Sequence, residues 1–174
     1  MLGYLNPRAR KCGMNRKISD QEEFWSGEFG SDYIQRNIDQ TIVAGNISLF
    51  ASALSRADRI KNCLEFGANI GLNLRALKSL FPQISCNAIE INKEASEILA
   101  SEIGSDHVKN TSIFDYLSGE KFELVLIKGV LIHLNPELLK DAYKKLYEAS
   151  SKYILICEYY NPTPVSIPYR GHSD

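Results

Sequence analysis

Residues 64–73 read LEFGANIGLN and join a short apolar run to a helical pattern. Gly67 and Gly71 bracket the turn, and glycine allows positive φ and a close approach of the backbone to a ligand. Dinucleotide-binding loops usually carry three glycines, whereas Asn69 stands at the middle position here. Glu65 precedes the turn; its carboxylate would repel a phosphate but can accept hydrogen bonds from an ammonium group. The turn therefore favours a zwitterionic amino-acid moiety over a dinucleotide.

Short apolar runs alternate with helical patterns on both sides of this turn. The predicted strands cover residues 62–66, 86–90, 107–113, 122–127 and 153–158, and the predicted helices cover 39–58, 72–80, 93–103 and 136–150. A further helix begins at Ser19, where an acceptor side chain is followed by acids. Such alternation predicts βαβ units, and hence a Rossmann-like three-layer α/β/α sandwich with a mainly parallel sheet.

Length and composition indicate one globular domain. The chain has 174 residues, of which 44% are hydrophobic and 24% charged. We predict a flexible leader at 1–17 and a single domain at 18–174. Within that domain, residues 18–38 form an aromatic-rich N-terminal lid, residues 39–160 the core and residues 161–174 a tail.

Charge and apolar patterning exclude several classes of partner. The formal net charge is −1, so the chain lacks the overall basic field that nucleic-acid binding favours. No apolar run is long enough for a membrane helix, and the basic N-terminus is not followed by the apolar stretch of a secretory signal. The four cysteines lack metal-binding spacing and are expected to be reduced. We predict a cytoplasmic protein without a metal; the oligomeric state cannot be inferred from the sequence.

Glu90 ends the second predicted strand, at the edge where ligands of parallel sheets bind. A carboxylate there can accept hydrogen bonds from both hydroxyls of a ribose. NAD enzymes use the same device, so Glu90 predicts a ribose without choosing between cofactors.

The pattern Glu65-x-Gly67-x-x-x-Gly71, followed by Glu90, resembles the class I S-adenosylmethionine-dependent methyltransferases over residues 40–160. The segment 122–134, FELVLIKGVLIHL, is similar to the strand-four motif of the same superfamily. Three phrases, at residues 24–30, 67–73 and 158–164, resemble the methylases associated with pseudaminic acid biosynthesis, which lie in bacterial surface-glycan gene clusters. The usual class I sheet has seven strands; too few residues follow the fifth predicted strand for the last two, which are expected to be missing.

The resemblance implies S-adenosyl-L-methionine as the cofactor. Glu65 and Gly67 would contact its methionine part, Glu90 the ribose, and Lys128 and Gly129 would lie near the methyl sulfonium. The full set of implied cofactor contacts is Glu65, Gly67, Ala68, Asn69, Gly71, Asn73, Glu90, Ile91, Ser112, Ile113, Lys128 and Gly129.

Two residues after the fourth strand are candidate catalytic groups. His133 is a candidate general base because an imidazole titrates near neutral pH, although it could instead cap the helix after Asn135. Lys128 could act as a base if burial lowered its pKa, or bind an acidic acceptor. The candidate acceptor contacts are Trp25, Tyr33, Arg36, Tyr159, Asn161 and Arg170. Trp25 and Tyr159 could instead pack against the fold, and Arg170 could lie in a solvated tail.

The sequence therefore predicts a methyltransferase acting on a sugar or nucleotide-sugar in bacterial surface-glycan biosynthesis of the pseudaminic acid type. Two alternatives stay open. One is a truncated cofactor-binding module without turnover, and the other is an NAD-dependent sugar-modifying oxidoreductase.

Overall fold

The computed structural model describes residues 16–36, 39–163 and 165. The helices are α1 (Asp20–Ser26), α2 (Glu28–Arg36), α3 (Gln40–Ala53), α4 (Leu72–Leu80), α5 (Lys93–Ile103) and α6 (Leu139–Ala149). The strands are β1 (Asn62–Phe66), β2 (Ser85–Glu90), β3 (Val108–Asn110), β4 (Phe122–Lys128) and β5 (Ser150–Cys157). Residues 1–15 of the predicted leader lie outside the described residues, as do 164 and 166–174 of the predicted tail, whereas Arg16 and Lys17 are described.

The five described strands form one parallel sheet in the order β3-β2-β1-β4-β5. Strand β1 pairs with β2 on one side and with β4 on the other, so it is the central strand. The turn that follows β1 therefore lies at the middle of the sheet's carboxyl edge. The observed sheet confirms the predicted α/β class. Among the described residues β5 pairs with β4 alone.

Two apolar layers cover the faces of the sheet. One joins α3, α4 and α5 to the strands through residues such as Phe50, Leu77 and Leu99. The other packs α6 against the opposite face, with Leu146 beside Phe66. Both layers are buried, and they hold the strand ends at fixed positions.

The N-terminus begins as the sequence predicts. Ser19 and Glu22 form a capping box at the start of α1, with the Glu22 backbone N–H donating to Ser19 Oγ over 3.3 Å. The helix predicted over 39–58 ends earlier, at Ala53. The reason is that the following segment pairs elsewhere: the Asp58 backbone N–H donates to the Tyr153 hydroxyl over 3.1 Å.

Three other predicted elements have different bounds. The third strand covers only Val108–Asn110, because the chain turns soon after it, with the Asp115 and Tyr116 backbone N–H groups donating to the Ser112 carbonyl. A 3-10 turn at Pro136–Leu138 precedes α6. Strand β5 begins at Ser150 and ends before Glu158, whose carboxylate turns to the loop after β4. No described helix is both long and apolar enough to cross a membrane.

Candidate active site

A cavity of about 200 Å³ lies at the carboxyl ends of β1, β2, β3 and β4, beneath the N-terminal helices. Its walls combine the turn after β1, the end of β2, the loop after β3 and the exit of β4 with side chains of α1, α2 and α3. This is the edge where parallel sheets bind ligands.

The turn after β1 has the backbone conformation that its sequence predicts. Gly67, Asn69 and Gly71 have φ angles of 71°, 48° and 82°. A Cβ on Gly67 would lie 2.7 Å from Val130 Cγ2, and one on Gly71 would lie 2.5 Å from Leu99 Cδ1. Asn69 adopts the left-handed region that asparagine tolerates. The positive φ angles favour glycine at both positions, and a Cβ there would also displace Val130 or Leu99.

Glu90 is 7% exposed and lines the cavity. Its Oε2 accepts the Asn69 backbone N–H over 2.7 Å, and its Oε1 accepts the Asn92 backbone N–H over 2.7 Å. Burial raises the pKa of the carboxyl, while these backbone donors oppose the rise. Each carboxylate oxygen has a second lone pair, so Glu90 can still accept from ligand hydroxyls.

Glu65 lies behind the cavity wall, with no exposed surface. Its Oε1 accepts a hydrogen bond from Asn73 Nδ2 over 2.6 Å, and Asn73 does line the cavity. Burial raises the pKa of Glu65 to about 8. Direct contact between Glu65 and a ligand would thus require the surrounding side chains to move.

The loop after β4 is held by a side chain from the end of β5. Glu158 Oε1 accepts the backbone N–H groups of Val130 over 2.8 Å and Leu131 over 2.9 Å. Gly129 has a φ of 65° and donates its N–H to the Cys157 carbonyl. These contacts fix the 3-10 turn Leu131–His133 at the cavity.

Aromatic side chains of α1 and α2 close over this loop. The Trp25 ring lies 4.6 Å from the His133 ring and 5.2 Å from the Tyr33 ring, centroid to centroid. Asn92 Nδ2 donates to the Trp25 and Gly27 carbonyls over 3.4 and 3.3 Å, which ties α1 to the end of β2. The predicted lid residues Trp25 and Tyr33 therefore line the same cavity as Glu90.

An ion-pair cluster connects α1 to the loop after β3. The Arg16 guanidinium donates to both oxygens of Glu22 over 2.6 Å and to Asp115 Oδ2 over 3.2 Å. Ser112 Oγ donates to Glu22 Oε1. Burial alone would raise the pKa of Glu22, but donors from Arg16, Ser112 and Ser19 lower it to about 2. Glu22 is therefore a buried carboxylate, 4% exposed.

Most predicted site residues come together around this cavity. Those lining it are Trp25, Tyr33, Gly67, Ala68, Asn69, Asn73, Glu90, Ile91, Ser112, Ile113, Lys128, Gly129 and His133. Their chemical roles stay predictions.

Other predicted site residues lie elsewhere. Glu65 is behind the wall, and Gly71 faces Leu99. The Arg36 guanidinium lies over the Phe29 ring at 5.5 Å because α2 directs it away from the cavity. Tyr159 is 84% exposed, and Asn161 accepts the backbone N–H of Thr163 in an exposed turn beyond β5. Arg170 lies outside the described residues.

Several contributors to the site were not predicted from the sequence. Asn46 on α3 lines the cavity, Arg16 and Glu22 anchor α1, Asn92 holds the lid carbonyls, and Glu158 holds the loop after β4. Two of them carry a sequence signal for a helix start: Asn92 stands at an N-cap, and Glu22 is the acid of the capping box that begins at Ser19.

No protein-family model matches the chain, and no curated protein matches it significantly. Solved structures do match. The sugar N-methyltransferase KedS8 from Streptoalloteichus sp is 16% identical, with a TM-score of 0.64 over 92% of this chain and 62% of that one. The plantazolicin methyltransferase BpumL, in complex with SAH, is 16% identical, with a TM-score of 0.62 over 79% of this chain and 56% of that one.

A third match is the magnesium protoporphyrin IX methyltransferase ChlM from Synechocystis, solved with bound SAM. It is 12% identical, with a TM-score of 0.59 over 82% of this chain and 77% of that one. The chain spans 56% to 62% of the length of the first solved structures that it matches. The chain therefore has the Rossmann-like fold that these solved methyltransferases share.

Proposed function

We propose that this protein is an S-adenosyl-L-methionine-dependent methyltransferase acting on a small-molecule acceptor. The observation that carries the proposal is the convergence of the Gly67–Gly71 turn, Glu90 and the Lys128–His133 segment on one cavity beneath an aromatic lid. The acceptor we propose is a sugar or nucleotide-sugar of bacterial surface-glycan biosynthesis of the pseudaminic acid type. The sugar N-methyltransferase among the matched structures supports a sugar acceptor.

The cavity residues fit the proposed cofactor. Glu90 would hold the ribose hydroxyls, Ile91 and Ile113 the adenine, and the turn after β1 the amino-acid part. Asn69 Oδ1 is buried without a hydrogen-bond donor among the described residues, so the turn also offers an acceptor to a ligand. An apolar wall with few polar groups is typical of a small-molecule site.

The cofactor would supply an electrophilic methyl group on a sulfonium. The chain's own contribution would be alignment of the acceptor atom, exclusion of water and, where required, removal of a proton. Trp25 and Tyr33 would exclude water. His133 is placed beside Trp25 at the cavity, where its imidazole could take a proton from the acceptor.

Binding measurements test the cofactor assignment. We expect calorimetry to detect S-adenosylhomocysteine binding in the micromolar range and no binding of NAD. Glu90→Ala should weaken S-adenosylhomocysteine at least tenfold, since hydrogen bonds to a charged group contribute about 1.5–3 kcal/mol. Glu97→Ala, an exposed carboxylate on α5, is the matched control and should bind like the wild type.

Normal binding by a folded Glu90→Ala protein would overturn the site assignment, and binding of NAD instead would favour the oxidoreductase. A module without turnover is the second candidate, favoured by the exposure of the predicted acceptor contacts Tyr159 and Asn161 outside the cavity. Methyl transfer to any sugar acceptor, followed by mass spectrometry, would eliminate that candidate.

A further inference from the structure

A hydrogen-bond network through two side-chain amides connects the buried Glu65 to the cavity. Glu65 Oε1 accepts from Asn73 Nδ2 over 2.6 Å, and Asn73 Oδ1 accepts from Asn46 Nδ2 over 2.8 Å. The three residues come from β1, α4 and α3, so the hydrogen-bond network runs from the sheet to the helices that cover it.

Glu65 Oε1 accepts whether the carboxyl is ionised or carries its proton on Oε2, and this acceptor sets which way both amides point. An amide has a donor nitrogen and an acceptor oxygen, and the hydrogen-bond network assigns their positions. Because Glu65 Oε1 accepts, Asn73 presents its nitrogen to Glu65 and its oxygen to Asn46. Asn46 must then use its nitrogen toward Asn73, which leaves its carbonyl oxygen as the atom available to a ligand.

Asn46 is suited to ligand recognition by its position. It is 4% exposed, yet it lines the cavity, and its Oδ1 has no donor among the described residues. Asn73, its partner, lies in the first turn of α4, whose N-terminus has no side-chain cap. The backbone N–H groups of that turn suit a carboxylate. Because an amino acid carries its carboxylate and its ammonium on one carbon atom, an acceptor oxygen beside this turn suits the ammonium.

We propose that Asn46 binds the ammonium group of the cofactor's amino-acid part through its carbonyl oxygen, and that Glu65 and Asn73 are positioning residues that orient it. This inference rests on the proposed function. It assigns the ammonium to Asn46 instead of Glu65, which does not line the cavity.

Three ligands separate this contact from the rest of the site: S-adenosylhomocysteine, its desamino analogue and methylthioadenosine, which lacks the amino-acid part. Wild-type protein should bind S-adenosylhomocysteine at least tenfold more tightly than the desamino analogue in calorimetry. Asn46→Ala should weaken S-adenosylhomocysteine about tenfold and leave methylthioadenosine within about twofold. The desamino analogue should bind Asn46→Ala and wild type alike.

Asn87→Ala is the matched control, since it also removes an amide hydrogen bond, to His107, but lies outside the cavity. As positioning residues, Asn73 and Glu65 should act on the same ligand: Asn73→Ala should weaken S-adenosylhomocysteine and spare methylthioadenosine.

Equal affinity of the wild type for S-adenosylhomocysteine and its desamino analogue would overturn the inference without any variant having to fold. The inference would also be overturned if Asn46→Ala weakened S-adenosylhomocysteine and methylthioadenosine equally, or weakened neither. If the wild type binds methylthioadenosine, and binds S-adenosylhomocysteine and its desamino analogue with equal affinity, the inference fails and the proposed cofactor class stands. If it binds none of the three, both fail.

Discussion

At the scale of single residues, two carboxyl groups of the sheet differ in what surrounds them. Glu90 accepts two backbone N–H groups and reaches the cavity. Glu65 is buried, with one hydrogen bond from Asn73 and no donor to its Oε2 among the described residues. Burial without adequate donors favours the neutral acid, and the pKa of Glu65 is accordingly raised from 4.5 to about 8.

The stability of the protein should therefore depend on the ionisation of Glu65. The folded protein retains this proton up to about pH 8, whereas the unfolded chain loses it near pH 4.5. The free energy of unfolding should then fall, by up to several kcal/mol, as the pH rises from about 5 to 8. Glu65→Gln has no such proton. In urea unfolding at pH 5.5, 7 and 8.5, the free energy of unfolding of the variant should therefore rise relative to that of the wild type as the pH increases.

Glu97→Gln, an exposed carboxylate on α5, controls for the lost charge and should show no such trend. The titrating or charged groups that act on Glu65 are Cys86, Lys128 and Glu90. A difference between Glu65→Gln and wild type that stays constant with pH would contradict the prediction.

At the scale of elements, the contact between the lid and the sheet depends on the absence of a side chain in α2. A Cβ on Gly30 would lie 2.0 Å from the Trp25 carbonyl oxygen and 2.9 Å from Asn92 Nδ2. Helix α2 can therefore approach α1 and β2 only with glycine at this position. Gly45 on α3 has no atom within 4 Å of the corresponding point.

Two alanine substitutions in helices should consequently have opposite effects. Gly45→Ala should stabilise the protein by up to about 1 kcal/mol through helix propensity. Gly30→Ala should gain the same propensity but separate α1 from α2, so that the melting temperature falls and Trp25 fluorescence shifts to the red. An equal stabilisation by both substitutions would show that the lid tolerates the side chain.

At the scale of the whole molecule, polar contacts attach the N-terminal helices to the sheet edge beside the apolar cluster of Ile34 with Ile70, Leu72 and Ala95. Arg16, Glu22, Ser112 and Asp115 form one attachment, and Asn92 forms another. Since Glu22 is almost fully buried, removal of Arg16 would leave a buried carboxylate without its cation, which is strongly unfavourable.

Arg16→Ala should loosen the lid while the sheet stays folded. We expect hydrogen exchange to become faster at residues 20–36 and unchanged in β1, β2 and β4. Arg75→Ala is the matched control, because it breaks a more exposed ion pair to Glu102, between α4 and α5. Protection of residues 20–36 at the wild-type level in Arg16→Ala would mean that the apolar contacts suffice.

The sequence predicts those parts of the site that have local signals. The glycines of the turn and Glu90 at a strand end are recognisable because each lies at a fixed place relative to its own strand. Asn46 and Arg16 have no such signal, and the place of Glu158 after the fifth strand does not indicate its contact with the loop after β4. Their partners lie 27, 99 and 28 positions away in the chain, so only the packed fold reveals them. The observed bounds of α3 and β5 differ from the predicted ones for the same reason. Asp58, beyond α3, bonds Tyr153, and Glu158, beyond β5, bonds the loop after β4.

The lid contact between Arg16 and Asp115 has a consequence for the order of folding. It closes a loop of 99 positions, and contacts so distant in sequence form slowly because the chain entropy of closing the loop must first be overcome. Although the lid helices leave the ribosome before the five described strands, their docking surface is complete only after β4 and the loop that follows it have been synthesised. Until then the aromatic side chains of the lid are exposed on the nascent chain, where chaperones have access to them.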